Sequence, residues 1–311
     1  MPRCEVIIVD GNPPTRPQIL QAVREAAAKP GGLCALFWWS KVNVDEELLD
    51  AAGPNLKAVC TMSSGLDKLD LDAIRKRGIL IGNTLHVLDD SVANVAVGLV
   101  LSATRRFHEG RRIIESGVWV LGGSTDSPQW LLGHDLAGST VGIVGFGGVG
   151  SAIANKLRAF DVGRIVYSGR TDKPNARELG AERVPLADLL RESDIVVAAC
   201  PYSPETHMMF NADAFKQMKK EATFVNVGRG LLVDQDALIS ALKTGEIFAA
   251  GLDVMTPEPL PPDHPLLKLP NAVVIPHMGS ATYRTRETMA VLTAQNILAA
   301  LNGEPMPCQV K

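Results

Sequence analysis

Three residues in the second half of the chain are of the types that proton and anion chemistry requires. Arg229 stands between two glycines in F-V-N-V-G-R-G, Glu258 lies in the Pro-rich run T-P-E-P-L-P-P, and His277 sits in P-H-M-G-S. Each follows an apolar, strand-like run: Thr223–Val227, Ala249–Val254 and Ala272–Ile275 respectively. An imidazolium at His277 can hand a proton to a developing alkoxide. A carboxylate at Glu258 favours the charged ring and fixes its orientation. A guanidinium at Arg229 can clamp a substrate carboxylate through two parallel bonds and polarise the carbonyl beside it. Taken singly, they read equally as a solvated turn, a loop decoration and a structural histidine. Beside a hydride donor, they describe reduction of a 2-oxo acid.

A site for such a donor is written in Ser139–Gly150, S-T-V-G-I-V-G-F-G-G-V-G. A short apolar strand leads into Gly145, Gly147 and Gly150 in the spacing G-x-G-x-x-G, with Gly148 and Val149 inside the turn, and a helix-like run follows. The first glycine permits the tight turn, the second lets a pyrophosphate approach the backbone, and the third lets helix pack close on strand. The helix N-terminus then offers free N–H groups to the anion. Further along, the strand Arg164–Ser168 ends in S-G-R-T. An NAD site places an acid here, about 20 residues past the glycines, to accept from the ribose 2′-hydroxyl. Ser168, Arg170 and Thr171 instead suit a 2′-phosphate, so NADPH is the expected cofactor. NADH recruited by Asp172 is the alternative. Cys200, Pro201 and Val227, at the ends of neighbouring strands, complete the expected cofactor contacts from the residues.

These residues need strands to deliver them to one edge. Strand-like and helix-like segments alternate throughout, which argues for parallel sheets with right-handed crossovers, an α/β fold. The strands expected in the first part are Glu5–Asp10, Leu33–Trp39, Leu56–Met62 and Ile79–Asn83. A single long helix is expected from Val92 to about Glu109. In the second part, Arg164–Ser168, Asp194–Cys200 and the three runs above are the expected strands. In a doubly wound sheet, ligands sit outside the carboxyl ends of the strands. Arg229, Glu258 and His277 therefore share the edge of the Gly-rich turn. The Ser63-Ser64-Gly65 turn ends a first-half strand, where its backbone N–H groups could form an anion nest.

The 311 residues carry a net charge of −3 and are 46% hydrophobic and 21% charged. That balance argues against nucleic acid or an anionic membrane surface as a partner. No apolar run reaches the ~20 residues of a membrane span, and no targeting pattern is visible. Five scattered cysteines without C-x-x-C fit a reduced, cytoplasmic protein with no metal site.

The passages L-D-A-A-G-P-N-L-K (49–57), Gly145–Gly150, F-V-N-V-G-R-G-L-L-V-D (224–234), A-A-G-L-D-V-M-T-P-E-P-L-P (249–261) and P-H-M-G-S-A-T-Y-R-T-R (276–286) carry a family resemblance. The chain resembles the D-isomer-specific 2-hydroxyacid dehydrogenases, within them the subgroup that reduces glyoxylate and hydroxypyruvate. The resemblance runs from about Cys4 to Lys311. It implies two doubly wound parallel-sheet domains, with a Rossmann cofactor domain (91–282) inserted in a flavodoxin-like substrate domain (1–90 and 283–311). It puts Arg229, Glu258 and His277 at the catalytic positions, and Ser64 and Gly65 as backbone donors to the substrate carboxylate. Asp253 and Ser280 fall beside the nicotinamide and its ribose. It also implies a homodimer through the cofactor domain and a D-hydroxy acid product. Three departures stand out. The strand-helix unit with which family members open is expected to be absent, Ser64 replaces a valine, and Leu121–Ser127 is longer than in the nearest subgroup. The rival readings are a dehydrogenase of another D-2-hydroxy acid and an inactive nucleotide-binding form.

Overall fold

The computed structural model describes residues 5–9, 11, 13–120, 127 and 129–311. The chain forms two compact units, one from Met1–Leu88 with Thr282–Lys311 and one from Asp89–Ala281. Cys4 and residues 121–126, including most of the lengthened segment, lie outside the described residues.

The first unit alternates α1 (Arg16–Ala27), β1 (Ala35–Trp38), α2 (Glu46–Ala52), β2 (Ala58–Thr61), α3 (Leu71–Lys76) and β3 (Leu80–Gly82). Asp45 and Asp70 start α2 and α3 by accepting from Leu48 N and Ala73 N at 3.2 and 2.9 Å, the N-cap chemistry of a short acid. The three strands run parallel in the order β1-β2-β3. Ile19, Leu36, Leu48, Val59, Ile74 and Ile81 close the core on one face. The expected strand at Glu5–Asp10 does not form over the described residues 5–9. They hold no ladder bond, and Val6 and Ile8 are each 81% exposed. An apolar run becomes a strand only where a neighbouring backbone takes its hydrogen bonds, and among the described residues β1 is bonded only to β2.

The second unit holds α4 (Asp89–Thr104), α5 (Phe107–Glu115), β4 (Thr140–Val144), α6 (Gly148–Leu157), β5 (Arg164–Ser168), β6 (Ala181–Arg183), α7 (Leu186–Glu192), β7 (Ile195–Ala198), α8 (Ala212–Gln217), β8 (Thr223–Asn226), α9 (Gln235–Thr244), β9 (Ala249–Leu252) and β10 (Ala272–Val274). Seven parallel strands lie in the order β10-β9-β8-β7-β4-β5-β6. The order reverses at β4, and such a switch point opens a crevice between β4 and β7. The last helix, α10 (Tyr283–Asn302), returns to the first unit. It is capped by Thr282, which accepts from Thr285 N at 3.1 Å, and is ended by left-handed Gly303.

The single long helix expected from Val92 breaks in two. His134 N takes the Thr104 carbonyl at 3.0 Å, and a Cβ at Gly133 would run into that same oxygen. Arg106 then turns left-handed (φ 55°) and binds both oxygens of Glu109 at 2.8 Å. The apolar face of the sequence continues through the break, so periodicity alone carried no mark of it.

Candidate active site

The Gly-rich turn sits at the switch point. Gly145 has φ +96°, and a Cβ there would stand 2.5 Å from the Cys200 backbone. A Cβ at Gly150 would run into the Gly145 carbonyl oxygen, so the strand–helix approach excludes any side chain. Gly147, the N-cap of α6, looks onto open space. Two of the glycines are therefore demanded by the protein's own packing, while the third leaves room for a ligand at the first turn of α6. That is the pattern a pyrophosphate needs, and the residues present fit a dinucleotide.

At the end of β5, Ser168 is half-buried, and Arg170 and Thr171 are exposed. Tyr167 anchors this turn by stacking on Phe146 at 4.4 Å and accepting from Lys173 N at 3.1 Å. Asp172 is engaged by Arg183 of β6 at 3.2 Å, and Arg183 also donates to the Gly169 and Arg170 carbonyls at 2.9 and 3.1 Å. Across the turn, Glu205 is held below the usual carboxylate range, chiefly by the Ser203 hydroxyl and to a lesser degree by the charge of Arg170.

Arg229 leaves β8 through a turn built by Asn226. That buried amide accepts from Gly228 N at 3.0 Å and donates to the Arg229 carbonyl at 2.9 Å. A Cβ at Gly230 would collide with the Met255 carbonyl, and one at Gly228 would come within 2.8 Å of the Cys200 carbonyl and Leu232. The two glycines thus let the Arg229 turn lie flat against the loops that follow β7 and β9. The loop after β9 is itself bracketed by Gln235, whose side-chain amide bonds both the N–H and the carbonyl of Thr256.

Within that loop, Glu258 Oε2 lies 2.8 Å from His277 Nδ1, and its Oε1 accepts from Met255 N at 3.1 Å. The Glu258 side chain is 17% exposed and the imidazole 46%. A carboxylate only accepts, so Nδ1 carries the hydrogen and Nε2 is the ring atom available to a reactant. Beneath this pair, Asp253 is 2% exposed. Its two oxygens accept from Met278 N and Gly279 N at 2.7 and 3.0 Å, and its carbonyl accepts from His277 N at 2.8 Å. Burial pushes the Asp253 carboxyl above its ordinary value, against the pull of those N–H groups and of His277. His277 itself is left-handed (φ 51°), a backbone state that costs a non-glycine residue energy. The Ser91 hydroxyl completes the clamp by donating to the Gly279 carbonyl at 2.7 Å.

The carboxyl ends of the second unit's strands therefore carry Gly145–Gly150, Ser168, Arg170, Thr171, Cys200, Pro201, Val227, Arg229, Asp253, Glu258, His277 and Ser280. The Cys200 thiol is pushed up to about 11 by burial, beside Met209, so it is its backbone that shapes the turn. Asp253 turns both oxygens to the His277 turn. Ser64 and Gly65 follow β2 in the first unit. Asn226, Gln235 and Arg183 were not foreseen. Only Asn226 left a signal, an amide at a strand end two residues before G-R-G.

Residues 97–279 match the model of the D-isomer specific 2-hydroxyacid dehydrogenase, NAD binding domain. The chain belongs to this family. It is 51% identical to the glyoxylate reductase/hydroxypyruvate reductase of Mus musculus, over 86% of this chain and 81% of that protein. It is 47% identical to the Homo sapiens protein of the same name, over 99% and 91%. Among solved structures, the NADPH-dependent glyoxylate/hydroxypyruvate reductase of Sinorhizobium meliloti, in complex with NADP and malonate, superposes with a TM-score of 0.78 at 34% identity, covering 86% of this chain and 82% of that one. The dehydrogenase is thus an NAD(P)-dependent oxidoreductase, and its relatives act on small 2-oxo acids. Among the described residues, no helix is long and apolar enough to cross a membrane, and no three His, Cys, Asp or Glu side chains group as metal ligands.

Proposed function

We propose that this dehydrogenase reduces glyoxylate to glycolate and hydroxypyruvate to D-glycerate, using NADPH in preference to NADH. The observation that carries the reading is the His277–Glu258 pair at 2.8 Å, lying next to the Arg229 turn that Gly230 presses against the same loop. When bound, the cofactor supplies a hydride to the substrate carbonyl carbon. His277 gives its Nε2 proton to the carbonyl oxygen as negative charge develops there. Glu258 holds the ring by Nδ1 and balances the imidazolium. Arg229 clamps the carboxylate and draws charge from the carbonyl, and carboxylate donation is the role the family resemblance gives to the N–H groups of Ser64 and Gly65 in the first unit.

The preference for NADPH is supported by Ser168, Arg170 and Thr171 at the end of β5, where no acid stands. The engagement of Asp172 with Arg183 is consistent with it, since that acid already has a cationic partner. The related Sinorhizobium meliloti reductase is NADPH-dependent. Steady-state oxidation of NADPH and NADH with glyoxylate, hydroxypyruvate and pyruvate tests the reading. Fast turnover with NADPH on the first two is expected, with little on pyruvate. Equal or higher kcat/KM with NADH overturns the cofactor assignment. Preference for pyruvate or a phosphorylated acid makes it another D-2-hydroxy acid dehydrogenase, and NADPH binding without turnover makes it a nucleotide-binding protein. Arg170→Ala should raise KM for NADPH by roughly tenfold or more while sparing NADH, the loss of a charge-assisted bond to phosphate.

A further inference from the structure

In the first unit, β2 leaves the sheet through Ser63-Ser64-Gly65, and β3 runs directly into Asn83-Thr84. The two exits are bonded to each other. Thr84 N donates to the Ser63 carbonyl at 3.0 Å, and Asn83 Nδ2 donates to the Ser64 carbonyl at 3.2 Å. In a trans peptide, the carbonyl and the N–H that follows it point in opposite directions. Holding the Ser63 carbonyl therefore aims the Ser64 N–H away from Thr84, and holding the Ser64 carbonyl aims the Gly65 N–H away from Asn83. Two consecutive residues thus set the directions of two consecutive N–H groups. The Gly65 N–H meets the Ser63 hydroxyl at 3.1 Å, a group that can leave by one bond rotation when a stronger acceptor arrives.

Asn83 is 6% exposed, and its polar atoms are engaged on every side. Its N–H donates to the Cys308 carbonyl at 3.2 Å, its carbonyl accepts from Asn296 Nδ2 at 3.0 Å, and its Oδ1 accepts from the Cys308 thiol at 3.0 Å. Asn296, fully buried in α10, accepts from Cys308 N at 2.8 Å. Gln309 bridges Gly82 in antiparallel fashion, and Val310 N donates to the Ile81 carbonyl at 2.9 Å. The C-terminal tail is therefore laid along β3 and fastened to the same amide that holds Ser64.

We propose that Asn83 is a positioning residue for recognition of the substrate carboxylate, and that Cys308 tunes it from the tail through Asn83 Oδ1. The proposal rests on the reading that the Ser64 and Gly65 N–H groups receive that carboxylate. The test is steady-state kinetics with glyoxylate at saturating NADPH, with NADPH affinity measured separately by fluorescence. Asn83→Ala should raise KM for glyoxylate by about tenfold, the scale of one misaligned charge-assisted bond, with kcat within about twofold and NADPH affinity unchanged. Cys308→Ala should raise KM by about threefold, and Cys308→Ser, which keeps a donor toward Oδ1, should restore it. An asparagine that merely stabilises the fold would lower Tm and the active fraction, cutting kcat at constant KM, and that result overturns the proposal. An unchanged KM in Asn83→Ala does the same. Should that variant fail to fold, equal KM values in Cys308→Ala, Cys308→Ser and the parent chain overturn it. Ser64→Pro deletes one of the two N–H groups. If it leaves KM unchanged, the carboxylate reading itself fails. If it raises KM while Asn83→Ala does not, only the positioning role fails.

Discussion

His277 is held in its ring by the Glu258 carboxylate and in its backbone by the Asp253 carbonyl, while the Asp253 carboxylate holds the two N–H groups that follow. The division of labour follows from burial. Asp253 is sealed from water and spends both oxygens on main-chain N–H groups, whereas Glu258 reaches a ring that is nearly half exposed. Removing the proposed acid should therefore be costly for chemistry and mild for the fold. His277→Ala is expected to lower kcat by 10²-fold or more, with NADPH affinity and Tm close to the parent values. Glu258→Gln keeps the size of the side chain but not its charge, and should lower kcat by roughly tenfold or more with a small change in KM. Near-parental turnover in His277→Ala, measured by NADPH oxidation, would remove the residue from its role. The meeting of Glu258 with His277, and the Arg229 turn beside their loop, were legible because a carboxylate partner and an anion clamp are what the proposed proton donor calls for. Gln235 was not legible and Asn226 only faintly so, because their amides act mainly on backbone groups, and nothing in a sequence says which backbone an amide will meet.

Strands buried on both faces announced themselves as unbroken apolar runs, and Arg164–Ser168 was readable to the residue. The failures at this scale share one cause. Residues 5–9 have strand composition without a ladder, β6 has a ladder without apolar composition, and the break between α4 and α5 is made by Gly133 and His134, some 30 residues downstream. Each was decided by a distant partner, which a local pattern does not show. Elements also depend on two contacts that can be tested. Gly230→Ala drives a Cβ into the Met255 carbonyl. It should cost about 1–3 kcal/mol of stability, seen by urea unfolding, and should impair kcat more than NADPH binding because the Arg229 turn is displaced. At the opposite edge of the sheet, Asp194 accepts from Thr140 N at 2.8 Å and from Lys219 Nζ at 2.7 Å. Burial alone would raise its carboxyl, but Lys219 and the Thr140 N–H outweigh it and hold it below the ordinary 3.8. A depressed folded-state value contributes stability that is present above the unfolded value and lost as pH falls through the folded one. Asp194→Asn should therefore cost about 1 kcal/mol at pH 7, a modest figure because the pair is partly solvated. The difference should shrink as the pH is lowered below about 4. A gap between variant and parent that persists unchanged into acid would show that the carboxylate is not what joins these strands.

At the scale of the whole molecule, the second unit exposes a run of large apolar side chains on α5 and the chain that follows it. No residue of α5 is buried, yet Phe107 and Ile114 are 59% and 57% exposed. The chain that follows adds Val118, Trp119 and Val120, the last 87% exposed, and Leu132 is exposed as well. Single exposed apolar residues mean little, whereas a run of them along one helix and its continuation is the kind of surface that protein contacts use. A homodimer through the cofactor-binding unit, as the family resemblance implies, is the occupant we propose. An isologous interface uses the same patch on both copies, so one substitution introduces charge twice across the contact. Ile114→Glu combined with Val120→Glu is therefore expected to shift the protein from a dimer to a monomer in sedimentation velocity at micromolar concentration. NADPH binding should survive, because the Gly-rich turn and the end of β5 lie on other elements. A parent chain that already sediments as a monomer at that concentration would overturn the proposal. A variant that stays dimeric would move the interface away from α5.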